Sequence, residues 1–262
     1  MIGIERDRQS VAIAKRFVVD RALKNVSVLE GDATATGLPG DSFDLVHARL
    51  VLVNVPNVQA VVREMIRLAR HGGVVASHEA DYVSHFCDPP LRAWDRLFEV
   101  FSKYSAANGI DLFVGRRTHR LFRDAGLTDI EVNPVIHIYP HGHNRRPIFW
   151  RFLQNVRDRI LAQALITESE FSELTAELKE HLDRPDTLVV SHLFFQVWGR
   201  KPLSGKSEYL GPEHSDARYP ALDKTEKLDD RVPADSAQYL MKGKINHVLN
   251  RRKCRVGGIS NV

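Results

Sequence analysis

Cysteine is scarce in this chain of 262 residues, which contains two, Cys87 and Cys254. They are far apart in sequence, and the chain is much larger than the small secreted proteins that depend on disulfides. No stretch reaches about 18 uninterrupted apolar residues, and the amino terminus lacks the apolar core of a signal peptide. We therefore expect a soluble, cytoplasmic protein that has no membrane partner.

A strong excess of charge of one sign is also absent from most of the chain. The net charge is +4, and residues 205–262 contain 11 Lys or Arg against 8 Asp or Glu, which leaves +1 for residues 1–204. The basic excess therefore lies mainly in the carboxyl-terminal segment, which includes Arg251-Arg252-Lys253. We do not expect the folded part to bind nucleic acid.

Short β-branched runs alternate with helical patterns in the first 80 residues. Strands are predicted at 2–4, 26–29, 43–48 and 74–77. Helices are predicted between them at 7–22 and 56–69. Parallel neighbours need a crossover between them, and here the crossovers are helices. The alternation therefore predicts an α/β fold with a Rossmann-like, mainly parallel sheet that has helices on both faces.

The later part of the chain predicts longer helices and a closing hairpin. Helices are predicted at 90–107, 116–125 and 147–182, the last with a break near 166–167, and strands 128–139 and 187–198 should form an antiparallel hairpin. We expect a domain at 1–203 in which 90–107 and 147–182 are helical insertions. Residues 204–262 are rich in Gly, Ser, Pro, Asp and Lys and are predicted to be largely disordered, with a short helix near 237–249.

Acidic residues follow the first two predicted strands. Ligands of open α/β sheets bind outside the carboxyl ends of the strands. Glu5 could accept two hydrogen bonds from a ribose diol there. Asp32, before the small residue Ala33, could accept from an adenine amino group while a backbone N–H donates to the ring. The alternative is that each acid caps a helix or a loop.

Two segments carry a resemblance to a known family. IGIERDRQSVAIAKR and VSVLEGDATATGLPGDSFDLVHARLVLVNVPNVQAVVREMIRLARHGGVVASHEAD resemble the class I S-adenosylmethionine-dependent methyltransferases, especially the branch of the ubiquinone and menaquinone methyltransferases. GRRTHRLFRDAGLTDIEV and LFFQVWGRKP are similar to the final helix and closing strands of those domains. The resemblance covers residues 2–81 closely and extends loosely to about residue 202.

The resemblance implies a cofactor, a reaction and a set of contacts. The cofactor would be S-adenosylmethionine, and its methyl group would go to a small-molecule acceptor. Glu5 would hold the ribose hydroxyls, Asp32 and Ala33 the adenine, and Arg49 would line the cofactor cleft. For Arg49 a surface ion pair is the alternative.

One part of the family pattern has no counterpart in this sequence. The family begins with an earlier strand and a glycine-rich turn of the form Asp-x-Gly-x-Gly-x-Gly. That first strand, missing here, is central in the family's sheet, between the strands that end at Glu5 and near Ala48. Its loss leaves two strand edges unpaired unless they pair with each other or with another chain.

Three explanations of this gap compete: a gene boundary or fragment that starts too late, which we favour, a relic without cofactor, or a second chain that supplies the strand. If the protein begins at Met1, we expect weak cofactor binding or none.

Methyl transfer requires alignment and exclusion of water more than an obligatory catalytic residue. A base would help if the acceptor is a hydroxyl or an acidic carbon, and His78, Glu79 and Asp81 after the fourth strand are the candidates. The alternative is that they cap the strand and pair with neighbouring loops. We expect no metal site, because no ligand framework is recognisable in these residues or in a second histidine-rich segment, His137, His141 and His143.

Two other functions stay open. A degenerate methyltransferase could act as a non-catalytic binding protein, which would fold and associate without binding the cofactor. A nicotinamide-dependent oxidoreductase has less support, because no GxGxxG precedes Glu5 and no Tyr-x-x-x-Lys pair occurs. The aromatic residues at helical spacing in the segment 90–107 indicate a core or lid face rather than a substrate box: Trp94, Phe98, Phe101 and Tyr104.

Overall fold

The computed structural model describes residues 1–203 of the chain. The predictions for 204–262, including the helix near 237–249 and the basic triplet Arg251-Arg252-Lys253, lie outside the described residues. The chain divides into two units, Met1–Glu208 and Tyr209–Val262.

Residues 1–203 contain eight strands and six α-helices. In chain order these are β1 Ile2–Glu5, α1 Arg8–Asp20, β2 Ser27–Glu30, β3 Phe43–Arg49, α2 Val58–Leu68, β4 Ala69–Asp81, β5 Phe86–Asp88, α3 Arg92–Ala107, α4 Thr118–Asp124, β6 Thr128–Val135, α5 Ile148–Ala162, α6 Glu168–Asp183, β7 Leu188–Val190 and β8 Leu193–Arg200. No helix in this range is both long and apolar enough to cross a membrane.

Side-chain caps explain where the first two helices begin. The carboxylate of Asp7 accepts a hydrogen bond from the N–H of Ser10 and so caps α1. The side chain of Asn57 accepts from the N–H of Ala60 and caps α2. Each helix joins two parallel strands, as the alternation in the sequence predicts.

The main sheet has the strand order β3-β4-β8-β6. β3 and β4 are parallel, and β8 runs antiparallel to both β4 and β6. The predicted antiparallel closure is therefore present between β6 and β8. β1 and β2 form a separate parallel pair, and within residues 1–203 the strands β1 and β3 do not pair with each other.

Several predicted boundaries differ from the structure. α2 begins at Val58 rather than at residue 56, because Asn57 is its cap, and it ends at Leu68, so that Gly72-Gly73 lies inside β4. The predicted strand 187–198 is broken at Ser191-His192, where the backbone of Ser191 bonds to His137 instead of continuing the ladder. The piece before the break, β7, pairs with β5, a strand that the sequence did not indicate.

The interior has two hydrophobic clusters. α2 and α4 pack against one face of the main sheet, around Val75 and Val197. α3, α5 and α6 form a helical layer whose core meets Ala80 and Phe194 near the carboxyl end of β4. The aromatic stripe of α3 belongs to this second core, as predicted, with Trp94 among its most buried members.

Candidate active site

Glu5 lies at the exposed carboxyl end of β1. Its Oε1 accepts a hydrogen bond of 2.8 Å from the N–H of Asp7, because the chain turns into α1 directly after the strand. Its Oε2 has no hydrogen-bond partner in the described part of the chain. The carboxylate is therefore oriented through one oxygen and offers the other to solvent.

Asp32 follows β2 and has the same kind of arrangement. Its Oδ1 accepts from both the N–H and the Oγ1 of Thr34, each at 2.7 Å, whereas its Oδ2 has no partner among residues 1–203. The two hydrogen bonds from Thr34 hold the pKa of Asp32 below its ordinary value, and Arg6 lowers it further. The carboxylate is therefore charged at neutral pH, beside the half-buried Ala33.

β1 and β2 end together at one edge. Glu5 is opposite Glu30 in the parallel register, and the N–H of Gly31 donates to the carbonyl of Glu5 at 3.0 Å. Asp32 follows Gly31 directly, so it also lies beside the end of β1. The structure thus brings Glu5 and Asp32 to neighbouring strand ends, each with one oxygen available.

Arg49 is exposed at the carboxyl end of β3, opposite His78 of β4. Within residues 1–203 it forms no ion pair, so the alternative of a surface salt bridge is not observed there. The next residue, Leu50, has a φ of 54° and donates its N–H to the carbonyl of His78. This turn in the left-handed region ends the strand and leaves the guanidinium at the sheet edge.

Glu79 is fully buried, and both oxygens of its carboxylate accept hydrogen bonds. It accepts hydrogen bonds from the hydroxyl of Ser77 at 2.9 Å and from three successive backbone N–H groups of the turn after β3: Val51, Leu52 and Val53. Burial raises the pKa of Glu79, and these hydrogen bonds oppose the rise. This geometry favours a structural role, in which Glu79 caps the strand and pairs with a neighbouring loop, over a role as a catalytic base.

Asp81 is also fully buried and fully engaged. Its two oxygens each accept from the guanidinium of Arg116 at 2.6 Å, one from Nε and one from Nη2, and Oδ1 also accepts from the N–H of Val83. Such a bidentate pair holds the loop before α4 against the end of β4. The arrangement again favours pairing with a loop over contact with substrate.

His78 differs from these two acids because one of its ring atoms is unused. Its Nε2 is buried and has no hydrogen-bond partner within residues 1–203. Burial lowers the pKa of His78 to about 4, and the nearby charge of Arg49 contributes. The imidazole is therefore neutral at pH 7, which keeps it available as a hydrogen-bonding group.

Sequence reasoning missed two neighbours of this site, His85 and His192, which lie beside Tyr82. The rings of Tyr82 and His192 stack with their centroids 4.6 Å apart, and His85 lies 5.4 Å from Tyr82. Burial lowers the pKa of His192 to about 4 and that of His85 to about 3. The available signal was the presence of aromatic and imidazole side chains directly after β4 and directly before β8.

The histidine-rich segment after β6 contributes one residue to this neighbourhood. The ring of His137 lies 5.7 Å from that of Phe194, whereas His141 and His143 lie in the exposed loop beyond it. In the described residues no group of three His, Cys, Asp or Glu side chains is placed to hold a metal ion.

Comparison with known proteins finds a matching family model and relatives for part of the chain. Residues 1–77 match the family model of the methyltransferase domain. Two similar curated proteins are the demethylmenaquinone methyltransferases of Halalkalibacterium halodurans, 29% identical over 150 residues, and of Geobacillus sp. (strain WCH70), 28% identical over 148 residues. The matches cover 50% of this chain and 59% and 61% of those proteins, so the chain spans about three fifths of their length.

A solved structure shares the fold. The crystal structure of a Bacillus halodurans C-125 protein assigned as a methyltransferase has a TM-score of 0.50 and 15% identity, over 77% of this chain and 82% of that one. The fold is therefore that of the Rossmann-like methyltransferases. The resemblance found in the sequence is confirmed for residues 1–77, which match the methyltransferase domain family.

Proposed function

We propose that the chain binds S-adenosylmethionine and transfers its methyl group to a small-molecule acceptor in the cytoplasm. The observation that carries the proposal is the pair of strand-end carboxylates, Glu5 and Asp32, each with one oxygen held locally and one available. A ribose diol can donate to the first and an adenine amino group to the second. The names of the curated relatives, which include demethylmenaquinone, favour a small-molecule acceptor.

The described residues fit the nucleoside half of the cofactor. The hydrogen bonds from Thr34 keep the pKa of Asp32 low, so this acceptor is ionised, and Ala33 is small enough for a flat base to approach the backbone. Arg49 lines the cleft at the end of β3 in this proposal. The proposal concerns the nucleoside contacts of Glu5, Asp32 and Ala33.

When bound, S-adenosylmethionine supplies a methyl group that is activated by its sulfonium. The protein has to align the acceptor and exclude water. Of the three residues that the sequence offered as a base, His78 is the one whose ring is neutral and has an atom, the buried Nε2, without a partner in the described residues. Glu79 and Asp81 have an indirect role in this proposal. They hold the turn after β3 and the loop before α4 in position.

The test is cofactor binding by the full chain, measured by calorimetry with S-adenosylmethionine and S-adenosylhomocysteine. Glu5→Gln should weaken binding by about 10- to 100-fold, because charge-assisted hydrogen bonds of about 1.5 to 3 kcal/mol are lost. Glu30→Gln is the matched control, since Glu30 is the register partner of Glu5 on β2 and pairs with Arg8 at the surface. Equal effects of the two substitutions would refute the assignment of Glu5.

The same titrations separate the alternatives. A chain that folds, associates with a partner and binds neither cofactor form would be the non-catalytic binding protein. Binding of a nicotinamide dinucleotide without binding of S-adenosylmethionine would favour the oxidoreductase. Either result would overturn methyl transfer as the function of this chain.

A further inference from the structure

Glu64 is a buried acid of α2 that the proposed function has not used. Its Oε1 accepts a hydrogen bond of 2.9 Å from the N–H of Thr36 and one of 2.5 Å from the Thr36 hydroxyl. Thr36 lies 28 residues earlier in the chain, in the loop between β2 and β3. Two groups of one loop residue therefore bind to a single oxygen of the helix.

Arg67 completes this arrangement on the same helix. Its Nε donates to Oε2 of Glu64 at 2.7 Å, and its Nη2 donates to Oε1 of Glu64 at 2.8 Å and to the carbonyl of Leu38 at 2.7 Å. The hydrogen bond from Arg67, helped by those from Thr36, lowers the pKa of Glu64 to about 2 against the opposing effect of burial. The carboxylate is therefore charged at neutral pH and paired within the fold. We call Thr36, Glu64 and Arg67 the α2 anchor.

The α2 anchor holds the turn that carries Asp32 and Ala33. The carbonyl of Asp32 accepts from the N–H of Ala35 at 3.1 Å, and its carboxylate accepts from Thr34, so the turn is closed by its own hydrogen bonds. Thr36 follows this turn directly. Ala33 packs against the hydrophobic cluster that includes the buried residues of α2. The turn is therefore joined to α2 both by apolar contact and through the anchor.

Strand pairing does not fix the end of β2 relative to the rest of the fold. Among residues 1–203, β1 and β2 pair with each other and with no strand of the main sheet. The place of Asp32 relative to α2 and β3 therefore depends on contacts outside the ladders. The α2 anchor is such a contact, and its ionic hydrogen bonds are stronger and more directional than those between neutral groups.

We propose that Glu64 is a positioning residue for the adenine contact, because through Thr36 it holds the turn of Asp32 and Ala33 where the nucleoside binds. The inference rests on the proposed function for the identity of the ligand. The oxygens of Glu64 are taken by the α2 anchor, so Glu64 does not contact the ligand itself. Its loss should act through Asp32 and Ala33 and should leave Glu5, which is oriented by the N–H of Asp7, in place.

Calorimetry of the full chain with S-adenosylhomocysteine tests the first consequence. Glu64→Gln keeps the shape of the side chain but replaces one acceptor oxygen by an NH2 group that cannot pair with Arg67, and affinity should fall by about three- to tenfold. The matched control is Glu99→Gln, an exposed acid of α3 that also pairs with an arginine three residues away, Arg96, and it should change affinity by less than about twofold. Equal losses in the two variants would overturn the proposal.

A double-mutant cycle separates positioning from general damage to the fold. In an Asp32→Asn background, Glu64→Gln should weaken binding by less than about twofold further, because the group that it positions has already lost its charge. In a Glu5→Gln background the full loss should remain, since Glu5 is held independently. An undiminished loss in the Asp32→Asn background would show that Glu64 does not act through Asp32 and would refute the assignment.

Variants of Thr36 test the same link without changing a buried charge, and they decide the question if Glu64→Gln does not fold. Thr36→Val removes the hydroxyl that donates to Glu64 and should weaken binding by about threefold. Thr36→Ser keeps that hydroxyl and should bind within about 1.5-fold of the native chain. Equal affinities of the valine and serine variants would contradict the link between Thr36 and the adenine contact.

Amide hydrogen exchange without cofactor keeps this inference apart from the proposed function. Glu64→Gln should speed exchange of the Thr34 and Thr36 amides by about fivefold or more and leave that of Val75, in the centre of the main sheet, unchanged. If these loop amides respond but the native chain does not bind S-adenosylhomocysteine, the proposed function fails and the anchoring of the turn by Glu64 stands. If the native chain binds and neither exchange nor affinity responds to Glu64→Gln, this inference alone fails.

Discussion

Two pairs of acidic residues end strands in this protein, and they differ in every property that matters for binding. Glu5 and Asp32, at the ends of β1 and β2, are exposed, and each has one carboxylate oxygen without a partner in the described chain. Glu79 and Asp81, at the end of β4, are fully buried and fully hydrogen-bonded. A carboxylate at a strand end is therefore a ligand-binding candidate only if its surroundings leave it free.

The two pairs of acids differ because their hydrogen-bond partners lie at different distances along the sequence. Glu5 and Asp32 accept hydrogen bonds from residues two positions later, so local turns hold them. Glu79 accepts from Leu52, 27 residues away, and Asp81 from Arg116, 35 residues away. Hydrogen-bond donors that are distant in sequence reach Glu79 and Asp81 only when the sheet and its loops assemble. The two carboxylates are then fully hydrogen-bonded within the protein.

The largest effect should come from removing the buried Glu79. Glu79→Ala leaves three N–H groups of the turn after β3 unsatisfied in the interior and should destabilise the fold by about 3 to 5 kcal/mol. Urea denaturation measures this. The control is Glu131→Ala, at an exposed position of β6, which should change the free energy of unfolding by less than about 0.5 kcal/mol. Similar losses in both would remove the distinction between buried and exposed acids.

The ion pair of Asp81 and Arg116 should respond unequally to loss of either partner. Arg116→Gln leaves a carboxylate of 0% exposure without its counter-charge and should cost about 3 kcal/mol. Asp81→Asn leaves a guanidinium whose side chain is 47% exposed and can turn to water, so about 1 to 2 kcal/mol is expected. Thermal and urea denaturation compare the two. The reverse order would show that Asp81 is less isolated than its burial indicates.

The pH dependence of the unfolding free energy should also distinguish the buried acids from the exposed ones, with a smaller effect than the substitutions above. Burial raises the pKa of Glu79 above its ordinary 4.5, so the folded state binds its proton more tightly than the unfolded state does. This contribution to stability is complete below pH 4.5 and is lost as the pH rises through the folded pKa. The unfolding free energy of the native protein relative to Glu79→Gln should therefore fall as the pH rises above 4.5. A flat difference between pH 4 and 8 would contradict the raised pKa.

The smallest effect on stability is expected at the exposed acid Asp32. Asp32→Asn should change the free energy of unfolding by less than about 0.5 kcal/mol, because its partners are local and solvated. Cofactor affinity should fall by about three- to tenfold, since a charged acceptor becomes a weaker neutral one. Denaturation and calorimetry on the same sample give both numbers. A large loss of stability without a change in affinity would place Asp32 with the structural acids.

Much of the fold followed from local pattern. The strand and helix order from β1 to α2 was predicted because β-branched runs, turn residues and a helical apolar stripe occur within short windows. The parallel pairing of β1 with β2 and of β3 with β4 followed from the helices between them. The aromatic core face of α3 was predicted because its period is that of a helix.

The break between β7 and β8 could not be predicted in the same way. The segment from residue 187 to 198 is apolar enough to form one strand, and only the hydrogen bonds between Ser191 and His137 show where it divides. β5 was missed because its partner β7 is 100 residues later in the chain. The grouping of His78, His137 and His192 around Phe194 was missed for the same reason, since these histidines come from three parts of the sequence.

The sequence by itself determined the class of fold, the family resemblance and the positions of the acids that end strands, because these depend on residues close together in the chain. The tertiary structure decided which of those acids are free and which are occupied, and it assembled the imidazoles around Phe194. Burial and the partners of a side chain arise only when distant segments pack together, and these two properties separate a binding group from a structural one.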